Sequence, residues 1–428
     1  MKVSRELLAQ RLQAALGADA LSVQPHELAL HCVAGKLPVL LCRPHSAEQI
    51  AATLSICGEV EASGVPWGGG TAMAIGNPPA RLDWVLSTSR LNRLIEHDHA
   101  NLTATAQCGI TLGALQTALA SQKQFAPFHA PCPERSTLGG IIAANLNGPK
   151  RSSYGSLRDL VIGVKVVLGS GEQIKAGGKV VKNVAGYDLC KLFTGSLGSL
   201  GIITEATVRV APIPEAKVTG IAQGSLAQAV QLAGELAIAK LLPAAVFLRG
   251  AFSDQNWQLA VSFEGFGETV RRQITGLNSL VKQNSMTLET HHAEDEEQIW
   301  QDIDNQSLQA DRIIYRVTVP RSSVSLVLTA VKSSFLGAAV SAISADLAMG
   351  IIWMVTPPTQ TSAGHFAELI SMAREYHGHA VMFAAPPELK VGVEVWGPSP
   401  PTISLMRDLK QRFDPNGILN PGRFVGGL

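Results

Sequence analysis

Three glycine clusters constrain this chain more than any other feature. They are Pro66-Trp67-Gly68-Gly69-Gly70-Thr71, Thr137-Leu138-Gly139-Gly140-Ile141-Ile142-Ala143 and Gly195-Ser196-Leu197-Gly198-Ser199-Leu200-Gly201-Ile202-Ile203-Thr204-Glu205. A glycine lets the backbone approach a ligand closely, and successive N–H groups can be turned toward an anion. Any one cluster alone is equally compatible with ordinary turn chemistry. Neither Gly-x-Gly-x-x-Gly after a first strand nor Gly-x-x-x-x-Gly-Lys-[Ser/Thr] occurs, which weakens the common Rossmann and P-loop explanations. A dinucleotide bound here would need a different fold.

The 428 residues exceed what one hydrophobic core usually supports, so two or three domains are expected. Hydrophobic residues make up 46% against 16% charged, a balance that excludes wholesale disorder. Lys+Arg 35 against Asp+Glu 34, with no basic run, provides no footprint for a nucleic-acid backbone. The six cysteines, Cys32, Cys42, Cys57, Cys108, Cys132 and Cys190, contain no Cys-x-x-Cys pair, which argues against an iron–sulfur cluster or a disulfide framework in this chain. Met1 through Leu16 mixes charges among leucines and lacks the apolar core of a secretory signal. No run reaches eighteen apolar residues, so a soluble, cytoplasmic protein is expected, without direct membrane insertion.

Along the chain, Ser46 and Gln49 suggest a capping box that opens a helix through Ile50, Leu54 and Cys57, with Gly64 as its stop. Strand-like patterns cover Leu82 to Ser87, Asn101 to Cys108 and Val161 to Leu168, and Thr111 to Leu119 reads as a helix. Pro212 and Pro214 mark a linker. Beyond them come strands at Val246–Arg249 and Leu259–Phe263 and a helix from Glu268 to Val281. A similar order follows: a strand at Ile313–Val319, a helix from Ser322 to Phe335, a strand near Ile351–Thr356, a helix from Gly364 to Tyr376 and a strand at Ala380–Ala384. The repetition suggests a weak internal duplication, and the whole reads as α+β.

The order and spacing of the clusters, from about His45 to Pro212, resemble the FAD-binding domain of the vanillyl-alcohol oxidase, or PCMH, type. Two stretches narrow the likeness: Asn147-Gly148-Pro149-Lys150-Arg151-Ser152-Ser153-Tyr154-Gly155-Ser156-Leu157-Arg158-Asp159, and Gly177 through Leu189. Both are similar to the FAD-binding E subunit of bacterial glycolate oxidase. The closing Phe413-Asp414-Pro415-Asn416-Gly417-Ile418-Leu419-Asn420-Pro421-Gly422-Arg423 is similar to that family's C-terminus. The resemblance covers the first half specifically and the second half loosely. It implies a two-lobed FAD-binding domain over residues 37–212 after an N-terminal helical segment, 1–36. An α+β cap domain over 213–400 and a C-terminal segment, 401–428, returning to the FAD domain would follow.

Carried over residue by residue, the likeness sets Trp67, Gly68, Gly69, Gly70 and Thr71 against the FAD phosphates. Thr137, Gly139 and Gly140 would bracket the pyrophosphate and flavin, and Gly201, Ile202 and Ile203 would lie close to the cofactor. A chain of net charge +1 without a basic cluster would neutralise a pyrophosphate mostly through backbone dipoles rather than lysines. Many relatives carry a flavin-linking His where this chain has Thr71, and a hydroxyl does not make that bond, so the FAD is expected to be non-covalent. Cys132 lies near the place where some relatives attach flavin through cysteine, but its offset from Gly139-Gly140 favours a small buried cysteine.

The pairs His97/His99, His291/His292 and His377/His379 belong to no recognisable metal spacing and read as surface or loop histidines. The acidic run Glu294, Asp295, Glu296, Glu297 reads as a solvated helix start. The motif His-x-Gly-x-Gly-Asn, which in related 2-hydroxy-acid dehydrogenases binds the metal that holds the substrate carboxylate, is missing, so no catalytic residue or metal ligand is assigned. The resemblance implies a subunit of a glycolate dehydrogenase complex, cytoplasmic or peripheral at the inner membrane through partners. It would oxidise glycolate, a small 2-hydroxy acid, to glyoxylate beside a second flavoprotein subunit and an iron–sulfur subunit. A self-sufficient FAD-dependent 2-hydroxy-acid dehydrogenase and a non-catalytic FAD-binding assembly subunit remain open.

Overall fold

A computed structural model describes residues 5–178, 187–254, 256–305 and 311–428, with the backbone alone at Arg5, Ala293, Glu294 and Phe335. The part of the Gly177–Leu189 stretch from 179 to 186 lies outside the described residues. Contacts divide the chain into two compact units. Met1–Asn147, Ser156–Pro212 and Lys390–Leu428 form the first, and Gly148–Gly155 with Ile213–Leu389 form the second.

The first unit holds β1 (Leu21–Ser22), β2 (Leu40–Cys42), β3 (Gly64–Trp67) and β4 (Trp84–Ser87) in a four-stranded sheet of order β1-β2-β4-β3. β2 and β3 both run parallel to β4, and β1 is antiparallel to β2. The helix Ala47–Glu59 feeds β3. Ser46 Oγ accepts from the Gln49 amide, but Gln49 Oε1 accepts from the His45 amide, so the expected box closes one residue early. The helix ends at Glu59 and the chain leaves it through Glu61 at φ 53, so Gly64 begins β3 instead of stopping the helix.

The second sheet of this unit is antiparallel: β5 (Leu94–Asp98), β6 (Thr103–Gln107), β8 (Val161–Leu168), β9 (Gln173–Gly177) and β10 (Gly201–Arg209), in the order β5-β6-β10-β8-β9. A short ladder joins β7 (Gln124–Phe125) to β11 (Ala211–Pro212). Because neighbouring strand residues point to opposite faces, β10 serves two cores. Ile202 packs with Leu54, Trp84, Val167 and Leu419, and Ile203 with Leu115, Leu138, Ile141 and Val166.

The C-terminal motif is explained by its contacts within this unit. Asp414 accepts from the amides of Ile418 and Leu419 at 3.1 and 2.9 Å and from Lys410 Nζ at 2.6 Å. The chain then lies alongside β3, with the Gly64 amide donating to Ile418 O and the Asn420 amide to Gly64 O.

The second unit is one eight-stranded antiparallel sheet, ordered β15-β12-β14-β13-β17-β18-β16-β19. Its strands are β12 (Ala216–Gly224), β13 (Ala245–Gly250), β14 (Trp257–Gly265), β15 (Thr287–His292), β16 (Ile313–Thr318), β17 (Ala342–Asp346), β18 (Ile351–Thr356) and β19 (His379–Ala384). Helices Leu226–Ile238 and Gly267–Gln283 fall between strands of the first four, and Val324–Lys332 and Ser362–Glu375 between strands of the last four. Each half is thus a β-α-β-β-α-β unit with spatial order 4-1-3-2, and the halves are joined through their second strands. This topology is the duplication that the sequence repeats suggest. β12, its following helix, β15 and β17 carried no sequence assignment.

The acidic run requires a correction. It opens the helix Ala293–Asn305, but Glu296 is 1% exposed and accepts hydrogen bonds from Thr219 Oγ1, Ser262 Oγ and Lys150 Nζ. Glu296, Trp300 and Ile303 recur at helical spacing on the buried face, so the local charge run is solvated on one side only.

Candidate functional site

The first glycine loop leaves β3 at Trp67, whose carbonyl accepts from the Thr88 amide. Beyond it, among the described residues, the amides of Gly68, Gly69, Gly70, Thr71, Ala72, Met73 and Ala74 donate to no other protein group. Unpaired amides in succession offer partial positive charge that suits an anion. Gly69 and Gly70 are among the positions that require glycine. A Cβ on Gly69 would lie 1.7 Å from the Arg135 carbonyl oxygen, and Gly70 has φ +75 with its face against the Trp67 indole.

The second loop lies beside the first. Thr71 Oγ1 and Ser136 Oγ are 2.8 Å apart, Arg135 donates to Gly69 O at 3.3 Å, and Gly68 approaches Thr137 Oγ1 too closely for a side chain. Thr137 caps the helix Leu138–Ala144, its Oγ1 accepting from the Gly140 amide, and the Gly139 amide donates to Cys108 O at 2.8 Å. Thr137, Gly139 and Gly140 thus lie beside the first loop, and the amides of both glycines are used within the protein. The third cluster joins the same neighbourhood. The Gly195 and Leu197 amides donate to Ile142 O and Ala143 O, Gly198 packs on Pro66, and Asn420 Nδ2 donates to Leu197 O. Gly201 starts β10, and the Ile202 and Ile203 side chains are core residues, 2% and 5% exposed.

Sequence reasoning missed two cations under the first loop. Lys390 Nζ donates to Ala74 O and, at 3.1 Å, to Gly76 O. Arg423 donates to Met73 O and Ile75 O, both at 2.8 Å, and to Asn420 Oδ1. They are 4% and 3% exposed, and among the described residues neither has a carboxylate partner. Burial, with Arg423 nearby, pushes the Lys390 ammonium down to about 8, and burial lowers Arg423 to about 10. They lie more than 300 positions along the chain from the loop they hold, a separation that no local pattern reveals.

A second polar set lies in the second unit. Strand register aligns Arg249, Ser344, Trp353 and Arg316 on one face of its sheet, with Phe247 and Asp346 in the adjoining row. Arg316 stands 5.3 Å from the Phe383 ring, and its Nε, cut off from solvent, has no hydrogen-bond partner among the described residues. Burial lowers both arginines, with the Arg151 charge adding to the effect at Arg316. Burial raises Asp346 to about 7 against the opposing pull of the Met349 and Ala348 amides. Alternating polar residues within β-patterned segments were the available sequence signal.

Cys132 is half-buried rather than buried, because it sits in a loop at φ 48 where its carbonyl accepts from the Arg135 and Ser136 amides. Of the histidines, His97 is held by Gln124 at 2.8 Å, His291 lies 3.6 Å from Glu289, and His377 occupies a turn at φ 58. No helix among the described residues is long and apolar enough to cross a membrane.

Comparison with known proteins agrees with this geometry. Residues 38–177 match an FAD binding domain, and 397–424 match the C-terminal domain of FAD linked oxidases. The chain is 31% identical to glycolate oxidase subunit GlcD of Bacillus subtilis, over 90% of this chain and 89% of the relative. It is 29% identical to glycolate oxidase subunit GlcE of Escherichia coli, over 78% of this chain and 85% of that protein. The solved structure of p-cresol methylhydroxylase with substrate bound shares the fold at a TM-score of 0.79 and 15% identity, covering 98% of this chain and 96% of that one. The chain belongs to the FAD-dependent oxidoreductases, in the family of the glycolate oxidase subunits.

Proposed function

We propose that this chain is the FAD-carrying subunit of a complex that oxidises a small 2-hydroxy acid, glycolate being the first candidate and glyoxylate its product. The carrying observation is the unpaired amide array of Gly68–Ala74 in a chain similar along nearly its whole length to a glycolate oxidase subunit. FAD bound there would accept the hydride of the substrate α-carbon. The chain's own residues hold and orient: the first loop would take the diphosphate, with Trp67, Thr71, Thr137, Gly201, Ile202 and Ile203 around it.

The subunit role rests on the sequence. It contains no His-x-Gly-x-Gly-Asn motif, so the hydroxyl proton and substrate carboxylate would be managed with a second flavoprotein subunit. Its dispersed cysteines offer no cluster ligands, so electrons would leave through an iron–sulfur subunit. The test is dye-linked glycolate oxidation by the FAD-replete single chain beside the co-expressed complex. The isolated chain should turn over at least about a hundredfold more slowly per flavin, the scale of a missing positioned catalytic group. Rates within a few-fold of each other would establish a self-sufficient dehydrogenase instead.

A further inference from the structure

Four successive carbonyls, from Met73 to Gly76, are drawn onto two buried cations brought by the C-terminal part of the first unit. In a trans peptide the N–H points opposite to the preceding C=O. Pinning Met73 O and Ile75 O to Arg423 therefore turns the amides of Ala74 and Gly76 away from the cations, and among the described residues neither amide has a protein partner. Burying two cations together without a carboxylate is costly, and neutral carbonyls offset only part of that cost. The Nε of Arg423 is also left without a hydrogen-bond partner among the described residues. A bound dianion on the far side of the loop would supply the missing countercharge.

We propose that Lys390 and Arg423 are positioning residues of the cofactor cradle: they fix the end of the Gly68–Gly76 loop so that its amides face the FAD diphosphate, and they provide the positive charge that the dinucleotide neutralises. The inference rests on the diphosphate lying on this loop. It replaces the expectation from net charge that backbone dipoles act without lysines.

The test is titration of the full-length apoprotein with FAD, followed by flavin fluorescence, and with ADP, which carries the diphosphate without the flavin, followed by calorimetry. Lys390→Met and Arg423→Gln should each weaken FAD and ADP in parallel by about tenfold or more, with a shallower salt dependence than wild type. Lys390→Arg, which keeps the charge, should stay within a few-fold of wild type. Wild-type ADP affinity should also fall as pH rises through about 8 and above, where Lys390 loses its proton, and Lys390→Arg should not follow. The charge acting on Lys390 is that of Arg423, itself lowered to about 10, so the profiles are compared between pH 7 and pH 9, where Arg423 keeps its proton. The pH comparison needs no destabilised variant. Unchanged FAD and ADP affinity in a folded Lys390→Met, or identical pH profiles for wild type and Lys390→Arg, would overturn the proposal. Gly70→Asp separates the two levels: if it abolishes FAD binding while Lys390→Met does not, the loop is the site and the cations are incidental. If neither variant affects binding, the placement of the diphosphate is itself wrong.

Discussion

Lys150 Nζ lies 2.5 Å from a Glu264 carboxylate oxygen and 3.3 Å from one of Glu296, with all three side chains buried. Tyr154 donates to the other Glu264 oxygen at 2.5 Å, and the ammonium stands 5.8 Å from the Trp300 ring centre. This network fastens Gly148–Gly155 to the sheet of the second unit, although the residues on either side of that segment belong to the first. Removing the cation would leave two carboxylates buried together. Lys150→Met should therefore cost about 3–5 kcal/mol of unfolding free energy, the scale for breaking a buried ion pair from one side. Denaturant unfolding checks this, and pairing the change with Glu264→Leu should recover part of the loss. A cost under about 1 kcal/mol would mean that the cluster is not a structural fastening.

Asp346 makes stability of the second unit depend on pH. Burial raises its folded pKa from 3.8 to about 7, so the folded protein holds this proton more tightly than the unfolded chain. Its contribution is fully present below the unfolded pKa and is lost as pH rises from about 4 through 7. Asn cannot ionise and can still accept from the Ala348 and Met349 amides. Asp346→Asn should match wild type near pH 4 and exceed it in melting temperature at pH 8, as differential scanning calorimetry would show. Equal melting temperatures at both pH values would contradict the burial argument.

Lys390 has the opposite sign. Its folded pKa is lowered to about 8, so in the apoprotein the charged form opposes folding, and the penalty is relieved as pH rises from about 8 toward 10.5. Over that window the wild-type apoprotein should gain stability relative to Lys390→Met while its affinity for ADP falls. Two quantities moving apart with pH mark a charge kept for a ligand rather than for the fold. The difference in melting temperature between the two proteins, measured at pH 7 and pH 10, checks the first half.

What the sequence disclosed follows from the range of the interactions. Local signals were legible: the strand Val161–Leu168 appears with the expected limits, Thr111 caps the expected helix, and the glycine loops stand together beside the helix that Thr137 caps. Relationships set by distant contacts were not. Glu296 reads as solvated within a run of four acids, and only the helical spacing to Trp300 and Ile303 turns it inward. Gly139 and Gly140 look like an anion loop, yet their amides donate to Cys108 O and Thr137 Oγ1, and the unpaired donors lie in the Gly68–Ala74 stretch. Lys390 and Arg423 belong to no motif with that stretch and meet it only through tertiary folding.

On the proposed reading FAD sits on the Gly68–Ala74 amides without a covalent bond, since Thr71 offers a hydroxyl engaged with Ser136 and the Cys132 loop is occupied with its own turn. The most direct measurement is flavin content of the purified chain before and after acid precipitation, for wild type and for Gly69→Ala, whose Cβ would collide with the Arg135 carbonyl. Wild type should carry one FAD per chain and release all of it to the supernatant, and folded Gly69→Ala should carry almost none. Flavin retained in the wild-type pellet would show a covalent link, and full occupancy in Gly69→Ala would move the diphosphate off this loop.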